Sequence, residues 1–262
     1  MFSEASSTYP QAITLHKAAR TASPTEMLTT SFGAFELDQA YDIQRHLIQL
    51  RVDEGERLIG MKMGLTAKAK MEQVGVHEPI YGHLTNAMEL VSGRSLSHSA
   101  HCHPRVEPEI AFRLKGDLSG AVTRADASAA IESVGAALEV IDSRYKNFKF
   151  TLTDVVADNA SSSRFVLPPV WNPWRDQDIS NISMELIRNG TTEQSGSSFA
   201  ILEDPVLSLV SLVKMLDAKG ERLHQGMIVF AGAATAAIAV QPGDRIQMKA
   251  ADWSTPDFTV SA

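Results

Sequence analysis

RVEPEIAF, residues Arg105 to Phe112, decides how the second half of the chain folds. The run is short, alternating and closed by turn residues, so it reads as a β-strand, in which side chains two apart project from one face. Glu107 and Glu109 therefore point the same way. Pro108 between them has no N–H to give to a ladder, which predicts a sheet edge or a bulge beside a cleft.

The same reading extends outward. EPEIAFRL, AALEVID, ISMELIRNG, GMIVFAG, TAAIAVQPGD and DRIQMKA are short, β-branched or alternating, and bounded by turn signals such as Asn189-Gly190 and Pro242-Gly243, so strands dominate from about Ser92. Two helices interrupt them. One is predicted over Ala125 to Val134. The other runs from Pro205 to Lys219, with Asp204 as N-cap, Pro205 in the first turn, an apolar face of Val206, Leu209, Val210, Val213 and Leu216, and Gly220 just beyond the end.

Before Ser92 the pattern is helical. ELDQAYDIQRHLIQL puts Leu37, Ala40, Tyr41, Leu47 and Ile48 on one face, with Gly33 as a breaker ahead of it. GMKMGLT, Gly60 to Thr66, then leads into a second helical stretch, AKAKMEQV, and the glycines flanking Lys62 suggest a bend near a ligand or a strand end. The fold class is α+β: a small N-terminal lobe over residues 1–85 on a mostly β domain over residues 86–262, the boundary falling near residues 80 to 95.

Composition narrows the function. The chain has 262 residues, 24 basic and 31 acidic, for a net charge of −7 with neither sign gathered in blocks, which argues against nucleic acid as a partner. The single cysteine, Cys102, cannot form an internal disulfide. The N-terminal residues lack the basic start and apolar run of an export signal, and no uncharged stretch reaches the ~20 apolar residues needed to span a bilayer, so a cytoplasmic location away from membranes is expected.

Glu139 lies in the apolar run AALEVID. Burying it together with Glu107 and Glu109 would cost several kcal/mol per carboxylate unless something positive paired with them. Ligands that are all oxygen point to a hard cation such as Mg2+ or Mn2+, with positions left for water or a chelating substrate. The alternative is a solvated strand face, with Glu139 paired to an arginine. Arg144 is a candidate to grip the distal carboxylate of a substrate in a bidentate way, or to pair with Asp142 or Glu139 for structure alone. His98, His101, Cys102 and His103 carry zinc-ligand chemistry, but their spacing is too tight for a regular four-ligand site.

Taken together, GMKMGLT, GVHEPIYGHLT, PRVEPEIAF, LEVIDSRYKNFKF and VVADNASSSRFVL resemble, in order and spacing, the hydratase and decarboxylase branch of the fumarylacetoacetate hydrolase superfamily. The resemblance implies that family's mixed β-sandwich roll. It also implies that Glu107, Glu109 and Glu139 bind Mg2+ or Mn2+, that Lys62 is catalytic and contacts substrate, and that Leu65, Ser161 and Thr235 contact substrate too. The C-terminal GG-x-T segment of the family corresponds to Gly232, Ala233 and Thr235.

IDSRYKNFKF is more similar to the decarboxylases than to the hydratases. The implied reaction is metal-dependent decarboxylation of a small 2-oxo dicarboxylate, 2-oxohex-3-enedioate, to 2-hydroxypenta-2,4-dienoate in the degradation of aromatic compounds. Hydration of that dienoate is the runner-up, and a non-catalytic partner subunit of the same fold is a third reading. The resemblance further implies a homo-oligomer and association with the pathway's hydratase. Three departures stand out: His77 where many relatives carry an acid, leaving His77 or Glu78 as substitutes; Gly232-Ala233 for a glycine pair; and Asp204-Pro205 for a His-Pro.

Overall fold

The Leu37–Asp53 helix begins at Glu36, whose backbone N–H donates to Gln39 Oε1 at 3.0 Å in a capping box. Ala40, Tyr41, Leu47 and Ile48 are buried as the periodicity predicts, and Ile43 and Gln44 join them. Leu37, in the first turn, stays 39% exposed. Gln44 enters the core because its amide has partners there: Nε2 donates to Tyr81 O at 3.0 Å and Val156 O at 2.7 Å. The computed structural model describes residues 8–67, 78–175 and 178–262. The helix expected over AKAKMEQV, beyond Ala67, and His77 lie outside the described residues.

Thirteen strands among the described residues form two sheets. The larger has the order β2-β1-β10-β4-β5-β6, built from Ile80–Thr85, Leu58–Gly64, Ile228–Ala233, Arg105–Leu114, Ile131–Ile141 and Ser162–Val166. Two short strands join it: β7 (Asn172–Pro173) pairs with β5, and β11 (Ile238–Ala239) with β4. β1 runs parallel to β10, and the other pairings along this order are antiparallel. The smaller sheet has the order β3-β13-β12-β8-β9, from Ser95–Ser97, Asp257–Ser261, Arg245–Ala250, Ser183–Arg188 and Thr191–Ser197. The β8–β9 hairpin turns at Asn189 (φ 53°) and Gly190 (φ 82°), a pair suited to the positive dihedrals of a tight turn.

The two faces of the main sheet have different fates. From β4, Val106, Ile110 and Phe112 enter a core shared with the N-terminal helices and the smaller sheet, as do Leu138 and Val140 from β5. On the opposite face Leu84, Ala111, Ala137, Phe165, Ile228 and Phe230 make a separate, smaller core. Glu107 and Glu109 alternate with the first set and so share a face with Ala111.

Four expectations change. First, β1 and β2 belong to the main sheet through β10, and the N-terminal helices share its core, so packing does not divide at residue 85. Second, the helix predicted over Ala125 to Val134 is Arg124–Ala130; β-branched Ile131 begins β5 and pairs with Leu114. Third, of TAAIAVQPGD only Ile238–Ala239 forms a strand. Fourth, β4 is a central strand, and the irregularity predicted from Pro108 lies in its neighbour, where the β10 register slips between Phe230 and Ala233. The Pro205–Asp217 helix keeps its predicted cap, with Val206 N donating to Asp204 Oδ1 at 2.9 Å. Leu212 completes its buried face.

Candidate active site

Glu107 on β4 and Glu139 on β5 are direct cross-strand partners, and Glu109 follows two residues along β4. The antiparallel register therefore brings three carboxylates together on one face. One oxygen from each lies within 4.8 Å of the others. Glu109 and Glu139 are fully buried and Glu107 is 8% exposed. No other grouping of three such ligands occurs among the described residues, so His98, His101, Cys102 and His103 do not make a metal site there. His101 Nδ1 is instead 2.7 Å from Ser97 O, and burial pushes the Cys102 thiol up to about 12, which leaves it an inert side chain.

Local structure aims each carboxylate. The β10 irregularity places three residues (Ala231 to Ala233) where β4 has two (Ile110 and Glu109), so it is a β-bulge. It turns Gly232 N–H onto Glu109 Oε2 at 2.8 Å. Gly232 has φ +123°, and a Cβ there would lie 2.2 Å from Thr66 Oγ1, so the position requires glycine. Glu139 Oε1 accepts from Ser162 Oγ at 2.8 Å. Glu109 Oε1 is buried with no hydrogen-bond partner. An orphaned carboxylate oxygen facing two further carboxylates is the donor set a hard divalent cation requires, and Mg2+ or Mn2+ fits these residues.

Lys62 brings a positive charge into this cluster. β1 places its Nζ 3.1 Å from Glu139 Oε2, and the side chain is almost fully buried. Burial by itself favours the neutral amine. Glu139, Glu107 and Glu109 together outweigh that and raise the pKa above the usual lysine value. Burial first, then the like charges of Glu139 and Glu107, push the Glu109 carboxyl well above the usual range.

A pocket of about 200 Å3 opens on this cluster, lined by Lys62, Leu65, Glu107 and Ser161 at one end and by Ile141, Phe148, Phe150 and Leu152 along its walls. Ser161 Oγ is buried without a partner. It sits on a tight turn in which Asn159, Ala160 and Ser161 all have positive φ (51°, 49° and 57°), costing roughly 1–3 kcal/mol each. Asn159 holds that turn in place. Its Oδ1 accepts from His83 N at 2.7 Å and its Nδ2 donates to His83 O at 2.9 Å, tying the turn to β2.

Other residues singled out from the sequence fall elsewhere. Arg144 is fully buried, its guanidinium bonded to Asp158 Oδ1, Asp158 O and Ser162 O, and it does not line the pocket. Its carboxylate partner within the protein is Asp158, where Asp142 or Glu139 was anticipated. Thr235 is buried beside Gly196 of β9, outside the pocket lining. Glu78 is largely exposed and 3.8 Å from Lys214, away from the carboxylates. Asp204 accepts from Arg124 Nε at 2.7 Å besides capping its helix. The sequence reading passed over Phe148, Phe150 and Leu152. The IDSRYKNFKF similarity covers the two phenylalanines, and no sequence signal marked Leu152.

Comparison with known proteins agrees with this geometry. The chain is 41% identical over 247 residues, 94% of its own length and 95% of the relative's, to a 4-oxalocrotonate decarboxylase of a Pseudomonas species. A 2-hydroxyhexa-2,4-dienoate hydratase of Comamonas testosteroni is 35% identical over 89% of this chain and 90% of the hydratase. The solved structure of the 4-oxalocrotonate decarboxylase of Pseudomonas putida G7, complexed with magnesium and adipate, superposes with a TM-score of 0.94 at 33% identity, covering 97% of both chains. Residues 64–261 match the fumarylacetoacetate (FAA) hydrolase C-terminal family, and on these grounds the chain belongs to the fumarylacetoacetate hydrolase family.

Proposed function

We propose that this chain is a divalent-metal-dependent lyase that decarboxylates 2-oxohex-3-enedioate (4-oxalocrotonate) to 2-hydroxypenta-2,4-dienoate. The observation that carries the reading is three buried carboxylates converging beside Lys62 at the end of a small pocket. It is supported by 41% identity to a decarboxylase over nearly the whole chain.

Glu107, Glu109 and Glu139 are the residues that would hold Mg2+ or Mn2+. The chemistry such a cation would supply is Lewis-acid polarisation of the ketone of a 2-oxo acid. Loss of the distal carboxylate as CO2 leaves an electron pair that moves through the conjugated chain and places negative charge on the ketone oxygen. Lys62, with its Nζ 3.1 Å from Glu139 Oε2 and lining the pocket, is placed to hold the substrate's proximal carboxylate or to move a proton at that oxygen. Charge that grows only in the transition state is where fixed electrostatics raise the rate. The unpartnered Ser161 hydroxyl donates to the proximal carboxylate, and Leu65 and the aromatic walls exclude water.

Hydration of 2-hydroxypenta-2,4-dienoate is the second reading. It draws support from the hydratase relative and from the mostly apolar pocket walls. A third, non-catalytic reading would not need the buried ligand cluster. We further propose that the enzyme works in the cytoplasm as a homo-oligomer and hands its dienol product to a hydratase partner. No helix among the described residues is long and apolar enough to cross a membrane.

The test is to add Mg2+ and the unsaturated 2-oxo diacid, then follow loss of its ultraviolet absorbance together with CO2 release. Stoichiometric CO2 supports the decarboxylase. Turnover of the dienoate alone establishes the hydratase, and turnover of neither removes the enzymatic reading.

A further inference from the structure

A diacid substrate has a second charge to place, and Lys62, the basic residue of the pocket lining among the described residues, is held by Glu139. Arg144 is taken by Asp158. Following the strand face outward from the carboxylates leads to another residue. Arg105 lies two residues before Glu107 on β4, on the same face and about 6.6 Å along the strand. Its direct cross-strand neighbour, Ile141, lines the pocket.

The guanidinium of Arg105 stacks on the Phe148 ring, 4.1 Å from its centroid, and has no carboxylate partner among the described residues. Phe148 is itself a wall of the substrate pocket and of the adjoining polar cavity that Arg105 lines with His103 and Gln241. The backbone strains to hold it there, because Asn147 and Phe148 are consecutive non-glycine residues at φ 57° and 56°. Such strain persists where surrounding structure fixes it, and it gathers at ligand-binding sites. Stacking on an aromatic face keeps an arginine in place and leaves the edge of its fork, with its N–H donors, open to a carboxylate.

We propose that Arg105 receives the distal carboxylate of the substrate, with Phe148 as its platform, and so sets the preference for a 2-oxo diacid over a 2-oxo monoacid. The inference rests on the proposed function, in that the proximal 2-oxo acid end must lie at Glu107, Glu109 and Glu139.

The experiment is calorimetric binding, in saturating Mg2+, of two unreactive saturated ligands, 2-oxoadipate and 2-oxohexanoate, which share the proximal end and differ in the distal charge. Wild type is expected to bind the diacid more tightly. Arg105→Met should weaken diacid binding roughly 10- to 100-fold and leave the monoacid within about 2-fold, the loss expected for a charge-assisted hydrogen-bonded pair. Arg105→Lys should fall between them. Lys149→Met, which removes the exposed cation between Phe148 and Phe150, should leave both unchanged.

Equal weakening of both ligands by Arg105→Met, no weakening of either, or transfer of the diacid effect to Lys149→Met would overturn the assignment. Failure of wild type to bind either 2-oxo acid would instead remove the reading of the site itself, and this inference with it. Monoacid binding by the Arg105→Met protein reports that the variant is folded.

Discussion

Lys62 Nζ lies 3.1 Å from Glu139 Oε2, a buried ion pair inside the carboxylate cluster. Lys62 is on β1 and Glu139 on β5, and β10 and β4 lie between them in the sheet. The contact therefore reaches over two strands into a cluster of three buried carboxylates, and that concentration of negative charge gives the first expectation.

Adding Mn2+ or Mg2+ should stabilise the protein, raising its melting temperature by several degrees as metal reaches 100 times Kd, equivalent to about 2.7 kcal/mol. Chelation should abolish turnover, and Mn2+ should restore it. Glu109→Gln and Glu139→Gln should each cost at least roughly 100-fold in Mn2+ affinity by electron paramagnetic resonance titration, in line with losing one of three charged ligands. Unchanged Mn2+ binding in both variants would refute the metal centre.

Lys62→Met should leave metal bound while lowering kcat roughly 100- to 10,000-fold, the range for losing a positioned proton donor. In the metal-free protein the same substitution removes a buried ammonium from beside three carboxylates, so melting should drop further without metal than with it. A kcat within a few-fold of wild type would show that Lys62 only neutralises charge.

Gly232→Ala puts a Cβ 2.2 Å from Thr66 Oγ1 at φ +123°. We expect a stability loss of at least about 2 kcal/mol by urea denaturation, and weaker Mn2+ binding because the bulge would no longer aim its N–H at Glu109. Gly93→Ala, at a turn where nothing lies within 4 Å, is the control for positive φ alone.

Asp158→Asn should cost about 3–5 kcal/mol, since it leaves the buried Arg144 guanidinium without its counter-charge. Substrate selectivity should not change, in contrast with Arg105→Met. A shift in diacid preference with little change in stability would return Arg144 to the substrate-binding role first expected of it.

Burial lowers the His83 pKa to about 4, and its Nδ1 has no hydrogen-bond partner. The unfolded chain takes up a proton near pH 6.5 and the folded chain does not until about pH 4. Folding stability contributed by the neutral ring is therefore complete above pH 6.5 and falls as pH drops toward 4, by up to about 3 kcal/mol. Denaturant midpoints between pH 7 and pH 4.5 should show this slope in wild type and a shallower one in His83→Phe. Identical slopes would mean the ring is already accessible to protons in the folded state.

The short-range content of the sequence was sufficient for much of this. Alternation placed Glu107 and Glu109 on one strand face, and Asp204 and Pro205 marked a helix start. Each is settled by neighbours within a few residues, where sterics and hydrogen-bonding capacity act directly. Pairing was decided only in three dimensions. That Glu139 faces Glu107 rests on antiparallel register over some thirty residues of intervening chain, and that Arg144 meets Asp158 rests on a turn held through Asn159 to β2. A residue's periodicity states which way it points. What it meets there is set by sheet order, which collects residues 62, 107, 139 and 161 from four segments because burying apolar strands on both faces leaves one polar cluster that must satisfy itself.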